Sequence, residues 1–406
     1  MHVVITGCGI AGLALALTLR QQGIRYTVLE RSAELAFVGA GIQLSPNATR
    51  VLRYLGVFQH LEPHLVFPQQ HRFLSWDSAE VLLTTPLGGA VDQAFASPYA
   101  HVHRADLLDA LMTELGDDPN VRMNADVEKT GTSQDSAFAL LTDGTRIEAD
   151  VLIAADGVRS AIRQAHFRPE APKHSGCMAW RGLTPKDAVQ GLEFERNSYI
   201  WMGPERSVVI YYVAGGELLN WIAMGPSDGQ TRESWTIRGT VEAALAEFEG
   251  WHPRVRSLIE RSAPPFKWAL FDREPLQSWI HGRIALIGDA AHAMLPYHAQ
   301  GGAQSLEDAW VLGRSLAIKD NIDDALRHYQ SLRLPRTSQV QGASRRAERM
   351  FHLSDSEAVR RRNERFARTQ TQIGDGFPPG QEWLFAYDSE SAVLGLDKDW
   401  QKLAWG

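Results

Sequence analysis

Two glycine-bearing loops, far apart in the chain, restrict its fold more than any other feature. The first, Gly7-Cys8-Gly9-Ile10-Ala11-Gly12, follows the apolar run His2-Val3-Val4-Ile5-Thr6 and opens a helical segment from Ala11 to Gln21. Gly23 stops that segment, and Arg25-Tyr26-Thr27-Val28-Leu29 then leads to Glu30. Strand, glycine turn, helix, strand and acid is the order of a βαβ unit, which predicts a parallel sheet with a right-handed crossover. The second loop, Gly288-Asp289-Ala290-Ala291-His292-Ala293-Met294-Leu295-Pro296, follows Arg283-Ile284-Ala285-Leu286-Ile287 and is closed by Gly301-Gly302. A helix is predicted beyond it, from about Ala303 to Ala317.

The first loop has the chemistry of a pyrophosphate seat. Gly7 permits the tight turn, Gly9 lets backbone approach phosphate, and Gly12 lets the helix lie close on the sheet. The helix start presents free N–H groups and a partial positive charge. Glu30, at the end of the second strand, can accept both ribose hydroxyls and would repel a 2′-phosphate. This motif does not separate NAD from FAD. In the second loop Asp289 can hydrogen-bond a sugar-alcohol chain such as the ribityl of a flavin, and the helix after Gly301-Gly302 points its amides at whatever anion lies above them. Together the loops predict one long cofactor gripped at both ends. Cys8 reads as a small buried side chain in the first loop.

The 406 residues are enough for two units, and the net charge of −7 argues against general attraction to nucleic acid or an anionic membrane. Two cysteines, Cys8 and Cys177, exclude a disulfide framework and fit a reducing cytoplasm. Their spacing suits no metal site. The apolar start lacks the basic flank of a signal peptide, and no apolar run is long enough to span a bilayer.

Along the chain, a helix is expected from Pro46 to Leu55 and another from His103-Arg104. Ala125 to Asp150 alternates like a hairpin with Asp143-Gly144 at its turn. Asp150 to Ala155 reads as a buried strand running into Asp156-Gly157. Seven of the twelve tryptophans then fall between Trp180 and Trp279. There, Ser207 to Val213 and Leu218 to Met224, separated by Gly215-Gly216, read as antiparallel strands. The expected fold is α/β: a Rossmann-like cofactor-binding domain with parallel sheet and helices, an inserted mainly antiparallel β-sheet domain, and a helical C-terminal region. The boundaries are 1–75, 98–172 and 277–340 for the first, 76–97 and 173–276 for the second, and 341–406 for the third. The basic stretch around Arg360-Arg361-Arg362 reads as a solvated helix face.

Gly7 to Gly12 with Glu30-Arg31, Asp156-Gly157, and Gly288 to His292 resemble the three signatures of single-component flavoprotein aromatic hydroxylases. Gly39-Ala40-Gly41-Ile42 with Pro46-Asn47, His103 to Leu107, Gln300-Gly301-Gly302 with Glu307-Asp308-Ala309, and Arg333 to Arg336 extend the resemblance over nearly the whole chain. Within that family it is most similar to the salicylate hydroxylase group, which includes 3-hydroxybenzoate 6-hydroxylase and 6-hydroxynicotinate 3-monooxygenase; Glu382-Trp383-Leu384-Phe385 is similar to that group too.

The resemblance implies FAD as cofactor and NAD(P)H as co-substrate. It places Ala11 and Gly12 at the pyrophosphate, Glu30 and Arg31 at the adenosine end, and Arg104 at the pyrophosphate or ribityl. It further places the Val127 backbone at adenine, Asp289 at the ribityl, and Ala299, Gly301 and Gly302 beside the isoalloxazine. Asp156 would serve both FAD and nicotinamide. No second GxGxxG is present, which implies transient docking of NAD(P)H rather than a separate nicotinamide domain. The implied reaction is hydroxylation of a small phenolic acid with O2 through a flavin C4a-hydroperoxide; a hydroxypyridine, quinolone or purine ring is the alternative, and a non-catalytic dinucleotide sensor the remote one. The pocket is expected between the two domains, under the tryptophan-rich sheet. Tyr211, Tyr297, His298 and Gln43 are the candidates for contacting substrate oxygens, with His298 as a possible base. Some relatives have histidine at the positions of Gln43, Ser207 or Tyr297, and this chain does not. His292 reads as structural, and Arg181 as a partner for a substrate carboxylate or an internal ion pair. The expected protein is cytoplasmic, a monomer or homodimer, acting on a small aromatic molecule without nucleic acid or membrane.

Overall fold

The first strand, His2–Thr6, is apolar at Val3, Val4 and Ile5, all with no exposure, because it lies at the middle of a sheet covered on both faces. The computed structural model describes residues 1–35, 40–167, 173–227, 238–373 and 381–396. Gly39, residues 228–237 and the last ten residues of the C-terminal region lie outside the described residues.

That sheet has six strands in the order Ile280–His281, Ile284–Leu286, Val151–Ala154, His2–Thr6, Arg25–Leu29 and Val121–Arg122. All neighbours are parallel except the first pair. Ile5 pairs with both Ile153 and Val28, which sets the two glycine loops and Asp156 at one end of the sheet. The helix Ile10–Gln21 is buried without interruption from Ala11 to Leu19. It is enclosed by the sheet and by helices Arg104–Leu115 and Gly301–Ile318, so its leucines are apolar all round rather than on one stripe.

A second sheet has seven strands in the order Phe266–Asp272, Lys173–Pro185, Leu218–Pro226, Arg206–Val213, Ser198–Gly203, Gln70–Ser75 and Val81–Pro86. Its pairs are antiparallel apart from Ser198–Gly203 with Gln70–Ser75. Period-2 alternation divides its side chains. Trp201, Val208, Ala223 and Trp180 form one cross-strand row on the outer face. With Trp221 they pack against helices Val241–Glu247 and Pro253–Glu260. The opposite face carries Phe73, Ile200, Tyr211 and Trp268, which meet Tyr297, Phe351 and Phe366.

The segment 125–150 contains the expected turn, with Gly144 at φ +85°. It is nevertheless a three-stranded meander, because Val127–Thr132 adds a strand before the pair Ala137–Leu141 and Arg146–Ala149. A short antiparallel pair, Gly41–Leu44 with Ala100–His103, lies between the two large sheets. The chain then turns helical: Gly301–Ile318, Ile322–Phe351 and Ser356–Ile373. The α/β architecture with an inserted antiparallel sheet and a helical C-terminal region is as expected. Among the described residues no helix is long and apolar enough to cross a membrane.

Candidate functional site

The three glycine-bearing segments meet at the end of the six-stranded sheet. Gly7, at φ +100°, approaches the third segment so closely that a Cβ there would lie 2.5 Å from the Ala155 carbonyl oxygen. A Cβ on Gly12 would lie 2.0 Å from the Gly7 carbonyl, so the helix sits as near its own turn as backbone allows. A Cβ on Gly288 would lie 3.0 Å from the Ala11 side chain, and one on Gly302 3.9 Å from Ile10. Loops far apart in sequence therefore form one surface.

Three features of that surface fit FAD. Gly9 faces open space, with no atom within 4 Å of a Cβ built on it. Helices Ile10–Gln21 and Gly301–Ile318 begin at residues that give no side-chain cap, so their first N–H groups are available to an anion. The third is a set of acids and a cation lacking partners of their own. Among the described residues the buried Asp156 Oδ1 has no hydrogen-bond partner, and its Oδ2 receives a 3.4 Å contact from the Ile162 amide. Arg104 and Asp289 are half-buried and feel each other's charge without forming an ion pair. Burial lowers the Arg104 pKa and raises that of Asp289, which His292 and Arg104 oppose. A chain of hydroxyls and phosphates laid between them would satisfy both.

Glu30 accepts from the Cys8 amide and the Ser32 amide, each at 2.9 Å. A carboxylate has about four acceptor sites, which leaves two for ribose hydroxyls. Arg31 is exposed beside it, and Val127 is half-buried at the start of the meander. The Cys8 thiol is buried, and burial followed by the Glu30 charge pushes its pKa up to about 12. It is inert as a nucleophile at neutral pH.

Beyond Asp289 the chain passes Pro296, Tyr297, His298 and Ala299 along the wall of a cavity of about 810 Å3. Gln43, His71 and Tyr99 stand on the same wall, with Phe73, Ile200 and Val209 as apolar lining. Tyr99 donates to Gln43 Oε1 at 2.6 Å, and the Gln43 amide reaches Ser198 Oγ at 3.4 Å. Burial, then the charge of Arg346, lowers His298 to about 4, and burial lowers His71 likewise to about 4. Both rings are therefore neutral hydrogen-bonding groups at physiological pH.

Tyr211 does not line that cavity. Its ring stacks on His101, centroids 4.5 Å apart, and packs against Gly41. The Tyr297 hydroxyl is buried, facing the Cys177 thiol and Glu348. The tryptophans Trp180, Trp201 and Trp221 lie on the face of the sheet turned away from the cavity. Among the described residues Arg181 pairs with no carboxylate. It lies over Trp268 at 3.8 Å and lines a smaller cavity of about 110 Å3 with Asp289 and Pro296.

Several supporting residues had no functional reading in the sequence. Arg163 donates to the carbonyls of Ala290 and Ala291 at 3.0 and 2.8 Å, joining the Asp156 segment to the Asp289 segment. His352 lies 2.9 Å from Ser207 Oγ with its ring 5.4 Å from Tyr297. A wholly buried ionic network fixes the second loop. Asp308 accepts from the Gly288 amide at 2.9 Å, His292 Nε2 at 2.6 Å and Arg333 Nε at 2.8 Å. Glu307 accepts from Arg333, from both ends of the Arg336 fork at 2.7 and 2.9 Å, and from Asn47 at 2.6 Å. His292 thus has the structural role its position suggested. In the sequence, Glu307-Asp308 and Arg333 to Arg336 entered only as part of the family resemblance.

The family described as FAD binding domain matches residues 1–344. The 3-amino-4-hydroxybenzoate 2-monooxygenase of Streptomyces cremeus is 36% identical over 393 residues, 95% of each chain. The 3-hydroxybenzoate 6-hydroxylase of Klebsiella oxytoca is 32% identical over 400 residues, covering 97% of this chain and 98% of its own. A salicylate hydroxylase solved with its substrate superposes with a TM-score of 0.81 at 25% identity, over 100% of this chain and 98% of that one.

Proposed function

This chain belongs to the FAD binding domain family and is an FAD-dependent monooxygenase, and from that premise we propose that it hydroxylates the ring of a phenolic aromatic acid, using NAD(P)H and O2. The observation that carries this reading is the cavity of about 810 Å3: apolar lining, a few convergent polar groups, and Pro296, Tyr297, His298 and Ala299 along its wall. When bound, FAD supplies electron transfer from NAD(P)H and activation of oxygen. Gly7, Gly9, Ala11, Gly12, Glu30, Arg31 and the Val127 backbone hold its adenosine and pyrophosphate half. Arg104, Asp156 and Asp289 hold the middle, and Ala299, Gly301 and Gly302 the ring end.

The chain's own work is to bind, orient and exclude water. Phe73, Ile200 and Val209 hold the aromatic ring against one face of the cavity. His298 accepts a hydrogen bond from the phenolic hydroxyl; with burial lowering its pKa to about 4, it stays neutral and free to accept at every pH above 5. Gln43, fixed by Tyr99, orients a substrate oxygen. Tyr297 shapes the wall with its ring, and Tyr211 supports Gly41 behind it. The cofactor unit comprises residues 1–75, 98–172 and 277–340, the substrate unit 76–97 and 173–276, with 341–406 as a helical third part. The protein acts in the cytoplasm as a monomer or homodimer.

Substrate-stimulated NADH oxidation across a panel of phenolic acids, with product mass measured, tests the reading. A gain of one oxygen atom on a phenolic acid is expected. Purified protein that oxidises NADH with none of them, or that hydroxylates only uncharged rings, defeats it.

A further inference from the structure

The large cavity has an outer end that ring hydroxylation leaves unused. Helix Ser356–Ile373 brings Arg361, Arg362, Arg365 and Arg368 to it, and Arg346 joins them from the long helix. Arg346, Arg361, Arg365 and Arg368 are exposed, as a solvated basic face requires, and Arg361 pairs with Glu357. Arg362 is different. It is 7% exposed. Its Nε and Nη2 donate to the neighbouring Asn363 Oδ1 at 3.1 and 3.0 Å, and its Nη1 reaches the Met350 carbonyl at 3.4 Å. No carboxylate bonds it among the described residues. A guanidinium is almost never buried unpaired, since its desolvation has to be offset by an opposite charge. Arg333 and Arg336, which are wholly buried, each have carboxylates. Arg362 has only neutral acceptors and a cavity.

His298 contacts Ala343, and Arg362 contacts Met350 on the same helix. Those seven residues span about 10 Å of helix axis. A hydroxybenzoate with a hydrogen bond at each end reaches about as far.

We propose that Arg362 is the anion anchor of this cavity: its guanidinium pairs with the carboxylate of a phenolic acid whose ring lies at Pro296–His298. This rests on the reading above that a phenolic acid is the substrate, and names the residue that holds its carboxylate. The exposed arginines around Arg362 draw the acid in, and the buried one fixes its depth.

The test is a titration of the FAD-loaded enzyme, followed by flavin absorbance, with 4-hydroxybenzoate, 3-(4-hydroxyphenyl)propanoate and 5-(4-hydroxyphenyl)pentanoate, each beside its carboxamide. The wild type is expected to prefer acid to amide by about tenfold or more for the compound that binds best. In Arg362→Met the acid-to-amide ratio falls toward one at every length. Arg362→Lys, which keeps the charge without the fork, retains part of the preference and stands in if the Met variant does not hold flavin. Equal binding of acid and amide by the wild type at all lengths overturns the proposal. So does a preference that survives Arg362→Met, or one that disappears in Arg181→Met alone. Product mass is scored separately: an enzyme that binds the acids in this way but hydroxylates none loses the substrate reading and keeps the anchor.

Discussion

Replacing Glu307 by Gln isolates the contribution of the buried ionic network. Glu307 has no exposed surface and is the carboxylate shared by Arg333 and Arg336. Gln keeps the shape and one acceptor oxygen but removes the charge, leaving two buried guanidinium groups against Asp308 alone. Breaking a buried pair from one side costs about 3–5 kcal/mol. If the chain unfolds as one unit, its 406 residues carry an unfolding entropy of roughly 0.85 kcal/mol per degree, so Tm should fall by about 4–6 °C. Differential scanning calorimetry of the FAD-free protein measures this. Glu357→Gln is the control. That carboxylate pairs with Arg360 at 2.7 Å at the surface and is worth under about 1 kcal/mol, a shift of about 1 °C. The acid limb adds a second readout. Burial pushes the Glu307 carboxyl up, but Arg336 and Arg333 outweigh it and hold its pKa below the ordinary value. A depressed carboxylate stabilises the fold fully above its unfolded-state pKa, about 4.3, and loses that contribution as pH falls through the folded value. The wild-type Tm should therefore drop more steeply below that pH than the variant's. A Glu307→Gln protein within 1 °C of wild type, with an unchanged acid limb, would refute the assignment of this network as a stabilising anchor.

Gly9→Ala and Gly12→Ala should separate cofactor binding from folding. A methyl at Gly9 meets no protein atom, so the apo Tm should hold while the flavin-to-protein absorbance ratio falls; a methyl 2.0 Å from the Gly7 carbonyl should lower both. His298 titrates near 4, so kcat/KM between pH 6 and 8 should show no inflection that disappears in His298→Ala; one near 6.5 that does would contradict its burial. Arg163→Met, which unties Ala290 and Ala291, should weaken FAD by about tenfold in fluorescence titration while NADH oxidation at saturating FAD stays within about twofold.

What the sequence disclosed follows from the range of each constraint. Gly7, Gly9 and Gly12 act on backbone within one turn, so the first loop and its βαβ unit were legible from local order alone. The Asp289 loop was legible for the same reason. The network behind it was not: Asn47 and Glu307 are 260 positions apart, and nothing local to either records the other. The runs Ser207 to Val213 and Leu218 to Met224 located two strands of the second sheet but not which face meets the cavity, since both faces are buried. That is why the tryptophans lie on the far side while Phe73 and Ile200 line the site. Tyr211 was placed by its neighbourhood in a strand, whereas the ring is taken up by His101, which only the pairing of Gly41–Leu44 with Ala100–His103 brings near. Arg362 was read with Arg360 and Arg361 as one solvated run, and helical geometry separates them, turning one inward.

Arg336 donates to the carbonyls of Trp383 and Leu384, and Trp383, Leu384 and Phe385 complete the cavity wall. Synthesis runs from the other end of the molecule. The glycine turn that seats the cofactor leaves the ribosome first, yet the chamber serving it is not closed until residue 385 has emerged. A nascent chain cut short before Trp383 therefore has its nucleotide pocket formed and its reaction chamber open to water.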